Sequence, residues 1–422
     1  MIRNTILTIS LIFIVWGISC EWNDHKNNNC GDGEISAADA VWSHGEGDLQ
    51  NSKRASSIRQ KGCFTGPKKN PSVAWTFEIG GSGTCSAPVI APDGTIYLVA
   101  EYPGGAIGTG GVRNTGLFSI APNGQMNWFL SRPIDIGTAV AMLYQQSVTV
   151  GRDGTIYFLW YDGFLYALNP DSTTKWKKNI GGSSPVIDNK GNIYTANDTV
   201  YCLNPDGQIK WSYHDEEIAE HFTESIALGK YGIYCVSSDA VYSLDYQGNK
   251  RWFAPTDFVS FQYRSLILDE EDNIYFQTGL YGEDFNSLDR NGMQRWKVGT
   301  SPFGSVMRSV LKGNYLYFAT YGGVYSLDKE TGTVFTKLAD IPLFGVEPGN
   351  TILVDDNGVI YVGGNEIVAV STSDSLLWAT RLTDETNAYS ARPALSPDGT
   401  LYFVSFYSSA FIPYTRNLIA IK

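Results

Sequence analysis

The chain has 422 residues, with 31 Lys and Arg against 43 Asp and Glu, a formal charge of −12 and a sequence pI of about 4.9. Only 18% of residues are charged, 13% are aromatic and 44 are glycine, a composition that excludes a disordered chain and a coiled coil. The acidic balance argues against a nucleic-acid partner, which calls for a basic surface, while the length suffices to bury a large core.

At the N-terminus, Arg3 precedes an uncharged, mostly apolar run from Ile6 to Trp16, followed by Gly17, Ile18, Ser19 and Cys20. A bilayer span takes about 20 residues, so the shorter run reads as a secretory signal peptide over 1–19. Cys20 after small residues resembles the lipobox of bacterial lipoproteins, although Gly17 stands where those proteins usually have Leu. The resemblance implies an acylated Cys20 as the mature N-terminus, anchoring an exported protein to a membrane of the bacterial cell envelope. Residues 20–40 are polar and Asn-rich, as expected of a tether, and 41–70 lead into the repeats. Export places Cys30, Cys63, Cys85, Cys202 and Cys235 in a disulfide-permissive compartment. One bridge among Cys30, Cys63 and Cys85 would staple the N-terminal segment, and which pair forms it stays open.

Over 71–422 one phrase recurs, an Asp-Gly or Asn-Gly type turn followed by apolar residues and Tyr. It ends at Tyr97, Tyr157, Tyr194, Tyr234, Tyr275, Tyr317, Tyr361 and Tyr402, with spacings of 60, 37, 40, 41, 42, 44 and 41. Such turns before β-branched residues signal hairpins. A third strand follows each time, with one small position at Ser119, Ala167, Cys202, Ser243, Ser287, Ser326, Ala369 and Ala420, as close packing between sheets would require. A fourth strand opens near Trp128, Trp176, Trp211, Trp252, Trp296, Phe335 and Trp378, and the last copy stops after its third strand at Lys422. Trp75, ahead of the first full copy, supplies the missing one. The pattern predicts an all-β chain, an eight-bladed β-propeller of four-stranded antiparallel blades in which the N-terminal strand completes the last blade.

These phrases resemble the pyrroloquinoline-quinone-like (PQQ-like) β-propeller repeat, and the stretch from Trp42 to Asp48 resembles the lead-in common in that family. Within it, the lipobox, short tether and ring are closest in architecture to the lipoprotein subunit of the outer-membrane β-barrel assembly machine. That resemblance implies a non-enzymatic, lipid-anchored binding or scaffold protein of the envelope, with no catalytic residue, metal or cofactor. The alternative is a quinoprotein dehydrogenase holding PQQ and calcium, or another enzyme, with its site in the funnel. The quinoprotein branch often carries adjacent cysteines, and no Cys-Cys pair occurs in this chain.

Two clusters have bland readings. His214, Asp215, Glu216, Glu217, Glu220 and His221 could offer two imidazoles and a carboxylate to a metal, but the His residues stand seven apart, without zincin spacing, and the cluster reads as a solvated acidic loop. Asp269 to Asp272 reads as an acidic hairpin turn without the order of a calcium loop. Comparing the copies about ten residues ahead of each repeat Tyr gives Ala87, Gln146, Ser184, Glu224, Arg264, Arg308, Asn350 and Arg392. These positions ring one mouth of the central channel. Gln146, Glu224, Arg264, Arg308 and Arg392 are the candidate ligand or partner site, suited to an acidic peptide, a small anion or an envelope protein. The competing reading has Glu224 and the arginines satisfy one another.

Overall fold

The computed structural model describes residues 64–422 apart from 70, 81–84, 102–111, 114, 133, 136–147, 161, 216–225, 238, 258–265, 280–283, 300–305, 321, 340–351, 365, 374, 382–387 and 408–414. The described residues form eight four-stranded antiparallel sheets arranged as blades in a ring, together with one short pair, Val112–Arg113 with Ile134–Asp135, and no helix. Seven blades take their strands in chain order, as in blade 1 with Val89–Ile90, Ile96–Glu101, Thr115–Ile120 and Met126–Ser131. Blade 8 pairs Ala388–Leu395, Leu401–Tyr407, Thr415–Ile421 and then Val73–Glu78 from the other end of the chain. Trp75 lies opposite Ala420, and Ser72 and Lys422 exchange backbone hydrogen bonds of 2.9 and 3.0 Å. The closure expected from the repeat is the one observed.

Burial orders the strands across each blade. Second and third strands are buried almost throughout, whereas fourth strands such as Thr174–Asn179 and Ile209–His214 alternate between exposed and half-buried residues. The fourth strand is therefore outermost. The apolar core is divided into layers, each shared by neighbouring blades: Val99 and Leu117 of blade 1 pack with Phe158 and Tyr166 of blade 2, and Leu165 of blade 2 packs with Ile193 and Leu203 of blade 3.

The small third-strand residue has a cause within the sheet as well as between sheets. It lies directly opposite the repeat Tyr on one side and the fourth-strand Trp on the other, as in Tyr157–Ala167–Trp176 and Tyr361–Ala369–Trp378. The two large rings lean over it until their centroids are 5.7–6.1 Å apart, in seven of the eight blades. A larger third-strand side chain would hold the rings apart and forfeit their contact.

Each indole then reaches the next blade. Trp75 Nε1 donates to the Pro122 carbonyl at 2.9 Å, Trp128 to Pro170 at 2.8 Å, Trp176 to Pro205 at 2.8 Å and Trp211 to Tyr246 at 3.1 Å. Trp252 donates to Arg290 at 2.9 Å and Trp296 to Lys329 at 3.0 Å. The acceptors lie in the turn between third and fourth strands of the following blade, where Gly124, Gly207, Gly248, Gly292 and Gly332 lie flat against the indole. A methyl group on Gly207, at φ +78°, would stand 2.7 Å from Trp176.

Removing residues 71–80 should uncover the edge of Thr415–Ile421 and the docking surface of blade 1. The expected result is aggregation or a lower, broader melting transition, and an unchanged melting curve would show that closure is dispensable. Gly207→Ala combines a strained φ with overlap on Trp176 and should cost roughly 2–4 kcal/mol in denaturant unfolding. Gly313→Ala is the matched control: φ there is +60° with nothing within 4 Å, so only the conformational cost of about 1 kcal/mol applies.

Candidate functional site

Antiparallel order sends every fourth-to-first and second-to-third connection to one face of the ring, and every first-to-second and third-to-fourth turn to the other. Of the candidate ring of ligand residues, the described members are carried by first strands or the segments that lead into them. Gln146, Glu224, Arg264 and Asn350 lie outside the described residues, as does Cys20. Arg308 and Arg392 lie on the first strands Val306–Lys312 and Ala388–Leu395, with their side chains outside the description. Both fall within a break in strand register, between Val306 and Ser309 and between Ala391 and Ala394. Ala87 is buried and Ser184 half-buried at the equivalent positions.

On the opposite face three carboxylates are engaged within the fold. Asp188, Asp269 and Asp355 each accept the hydroxyl of their own repeat Tyr, from Tyr194 at 3.0 Å, Tyr275 at 2.9 Å and Tyr361 at 3.2 Å. They also accept a turn N–H, from Asn192, Asn273 and Val359 at 2.8–2.9 Å. Burial, reinforced by the adjacent carboxylate, raises all three Tyr hydroxyls, which stay protonated hydrogen-bond donors.

Blade 4 has Gly229 where these aspartates stand. Its place is filled from blade 5, by Asp272, which is fully buried and accepts from Lys230 N at 2.8 Å, Tyr231 N at 2.7 Å and the Tyr234 hydroxyl at 3.0 Å. Asp272 itself stands where other blades have the turn glycine and adopts φ 59°. The acidic hairpin expected over Asp269–Asp272 is thus a hairpin with two of its carboxylates buried, each engaged in holding backbone and Tyr hydroxyl groups.

The described part of the His214 cluster is likewise engaged. His214 Nδ1 donates to the Asp198 carbonyl at 2.8 Å, and Asp215 accepts from Tyr213 at 2.6 Å and from Lys250 at 2.8 Å. Glu216, Glu217, Glu220 and His221 lie outside the described residues. Among the described residues no group of three or more His, Cys, Asp or Glu is placed to hold a metal ion. Cys202 and Cys235 are buried, and burial pushes their thiols up to about 11 and about 12. Neither has the character of a reactive thiolate. Cys85 is buried, and Cys30 and Cys63 lie outside the described residues.

One cluster was not singled out from sequence. At the end of blade 2 near Gly163, the Arg132 guanidinium sits 4.3 Å above the Tyr166 ring, and Lys177 Nζ sits 4.6 Å from the centre of Phe164. Its members run from Arg132, just past one strand, through Phe164 and Tyr166 on a second to Lys177 on a third, so only the register that sets Tyr166 opposite Lys177 reveals it.

Asp272→Ala should strand two backbone N–H groups and the Tyr234 hydroxyl, costing about 3 kcal/mol in urea unfolding. Gly229→Asp alone sets a second carboxylate against Asp272, since its Cβ would lie 2.3 Å from Oδ2. The double variant G229D/D272G recreates the arrangement of blades 3, 5 and 7 and should recover more than half of the summed losses. Simple additivity would show that the two positions are not coupled.

The chain's residues 122–338 match the family model described as outer membrane protein assembly factor BamB. No curated protein compared with the chain matches it. Among solved structures, it is similar to BamB from Moraxella catarrhalis, at 12% identity and a TM-score of 0.48, over 72% of this chain and 99% of that one. It is also similar to a protein of unknown function from Bacteroides caccae, at 13% identity and a TM-score of 0.34, over 53% of this chain and 89% of that one. The matched segment is just over half of the chain and runs from the outer turn of blade 1 to the outer strand of blade 6, so the chain belongs to the PQQ-like propeller family that this model describes.

Proposed function

We propose that the protein is an exported, lipid-anchored propeller that acts without catalysis, as a binding or scaffold protein in the bacterial cell envelope. The family match over 122–338 carries this reading, because the matching model is described as an assembly factor of the outer membrane. The apolar run from Ile6 to Trp16 and the following Cys20 support export and anchoring. A scaffold role also suits the chemistry of the described turns, where buried carboxylates and Tyr hydroxyls are spent on holding blades together. Its partner is an envelope protein, which engages the channel mouth ringed by Gln146, Glu224, Arg264, Arg308 and Arg392 through an acidic segment; a small anion would use the same guanidinium forks.

Affinity capture of the full-length protein from detergent-solubilised membranes should recover a stoichiometric envelope protein. Recovery of none would defeat the scaffold reading. Cys20→Ser should move the protein from the membrane to the soluble envelope fraction, since buried acyl chains supply the membrane affinity at about 0.8 kcal/mol per CH₂. Identical fractionation of variant and parent would remove lipidation as the anchor. Replacing Arg264, Arg308 and Arg392 together by Gln should abolish capture with the melting temperature retained, and undiminished capture would take the channel mouth out of the interface.

A further inference from the structure

Five consecutive outer strands, those of blades 2 to 6, hold nine Lys and Arg and no Asp or Glu: Thr174–Asn179, Ile209–His214, Lys250–Pro255, Gln294–Gly299 and Val334–Ala339. The outer strands of blades 7, 8 and 1 hold no Lys or Arg. Lysine on an edge strand keeps stray edges away, and most of these cations also have partners inside the chain. Lys175 pairs with Asp153 at 3.0 Å, Lys250 with Asp215 at 2.8 Å and Lys297 with Asp284 at 3.0 Å. Lys210 donates to Asn192 at 2.8 Å, Arg251 to Ser243 at 2.9 Å, and Arg295 pairs with Glu330.

Lys177 and Lys178 of blade 2 differ: neither side chain has a hydrogen-bond or ion-pair partner among the described residues. Lys177 stands opposite Tyr166, on the side of the blade that faces blade 1, with its Nζ 4.6 Å from the centre of Phe164 and 5.9 Å from that of Tyr166. Lys178 stands opposite Leu165, on the side that faces blade 3. Just past the end of blade 1's outer strand, Arg132 stacks on Tyr166 and donates from Nη1 to its hydroxyl at 3.3 Å, while its Nε is buried without an acceptor among the described residues. The carboxylate within this group, Asp162, is already taken by the Tyr166 hydroxyl at 2.5 Å and the Phe164 N–H at 3.1 Å. Arg132 and Lys177 thus share one face of the blade with a carboxylate already committed, and Lys178 projects from the other face, beside the outer edge of Thr174–Asn179, which no strand covers among the described residues.

We infer that this edge accepts an extended acidic segment of a partner protein, added to blade 2 as a fifth strand. The backbone of Thr174–Asn179 supplies the ladder of hydrogen bonds, and the side chains supply the sign. Neighbouring residues of an added strand project to opposite faces. Two consecutive carboxylates therefore meet Lys177 with Arg132 on one face and Lys178 on the other. On a chain of net charge −12, a local surplus of cations selects an acidic segment and repels basic ones. This rests on the protein-binding reading above and names a second surface and its ligand chemistry.

The probe is a fluorescein-labelled ten-residue peptide of valine and threonine with two central glutamates, followed by anisotropy against the full-length protein at low salt. Its counterparts carry glutamine for glutamate, or N-methyl groups on alternate backbone amides. Saturable binding of the glutamate peptide is expected, with at least tenfold weaker binding of both counterparts and of K177E/K178E, whose melting temperature should match the parent. K177Q/K178Q, which removes the attraction without adding repulsion, should fall between. Equal binding of glutamate and glutamine peptides, no binding at millimolar peptide, or binding unaffected in K177E/K178E would overturn the acidic site. Full binding of the N-methylated peptide would overturn strand addition. An envelope protein captured equally well by K177E/K178E would keep the scaffold reading and overturn this one.

Discussion

An indole N–H that finds no acceptor in its own sheet sets the construction of this ring. Each outer-strand Trp is lodged against the Tyr of its own blade and must donate across the gap, to a carbonyl in the turn of the next. That requirement fixes the spacing between blades, leaves the third strand room for only a small side chain, and presses the receiving turn so closely on the ring that glycine holds it in five places. The turn that receives Trp128 keeps the positive φ with Ser172 instead of glycine, and blade 6 departs from the pattern altogether. Phe335 stands in place of Trp, has no N–H to donate, and the following turn at Thr372 and Ser373 has no glycine.

The requirement outlasts the residue that usually meets it. Blade 8 has no turn joining its third and fourth strands, because those strands come from opposite ends of the chain. Trp378 of blade 7 still needs an acceptor, and Pro67 supplies its carbonyl at 2.8 Å. The lead-in is held there by Phe64, which is buried and whose carbonyl accepts from Asp356 N at 2.9 Å, and by Gly66 N, which donates to Asp355 at 3.1 Å. The exchange between Gly229 and Asp272 is a second case. A buried carboxylate site beside the repeat Tyr is filled from the neighbouring blade when its own blade does not provide one.

Blade number, strand order and closure were legible in the sequence because each depends on a local pattern repeated at a regular interval: a turn dipeptide, a Tyr, a small residue and a Trp. The reason for the small residue was only half legible, since the meeting of Tyr157 with Trp176 above Ala167 follows from register, which spacing alone does not state. The burial of Asp272 was hidden for a related reason. Four adjacent acidic residues look solvated in a string, and only the neighbouring blade's missing side chain at Gly229 explains the pocket. The Arg132, Tyr166 and Lys177 cluster joins two blades and repeats nowhere else, so no periodicity announces it. The channel-mouth positions were found by comparing copies, which identifies equivalent places in the ring but not what their side chains meet.

The pairing of Val73–Glu78 with Thr415–Ile421 also sets a schedule. A ribosome delivers the first strand of the pair seven blades ahead of its partner. Contacts this distant along the chain form slowly, because the loop they close must be ordered before they repay it. Intermediate blades can assemble as their hairpins emerge, yet the strand beginning at Val73 waits unpaired until Thr415–Ile421 has been made. The step that locks the ring is therefore the last one available to it, whatever order the intermediate blades take.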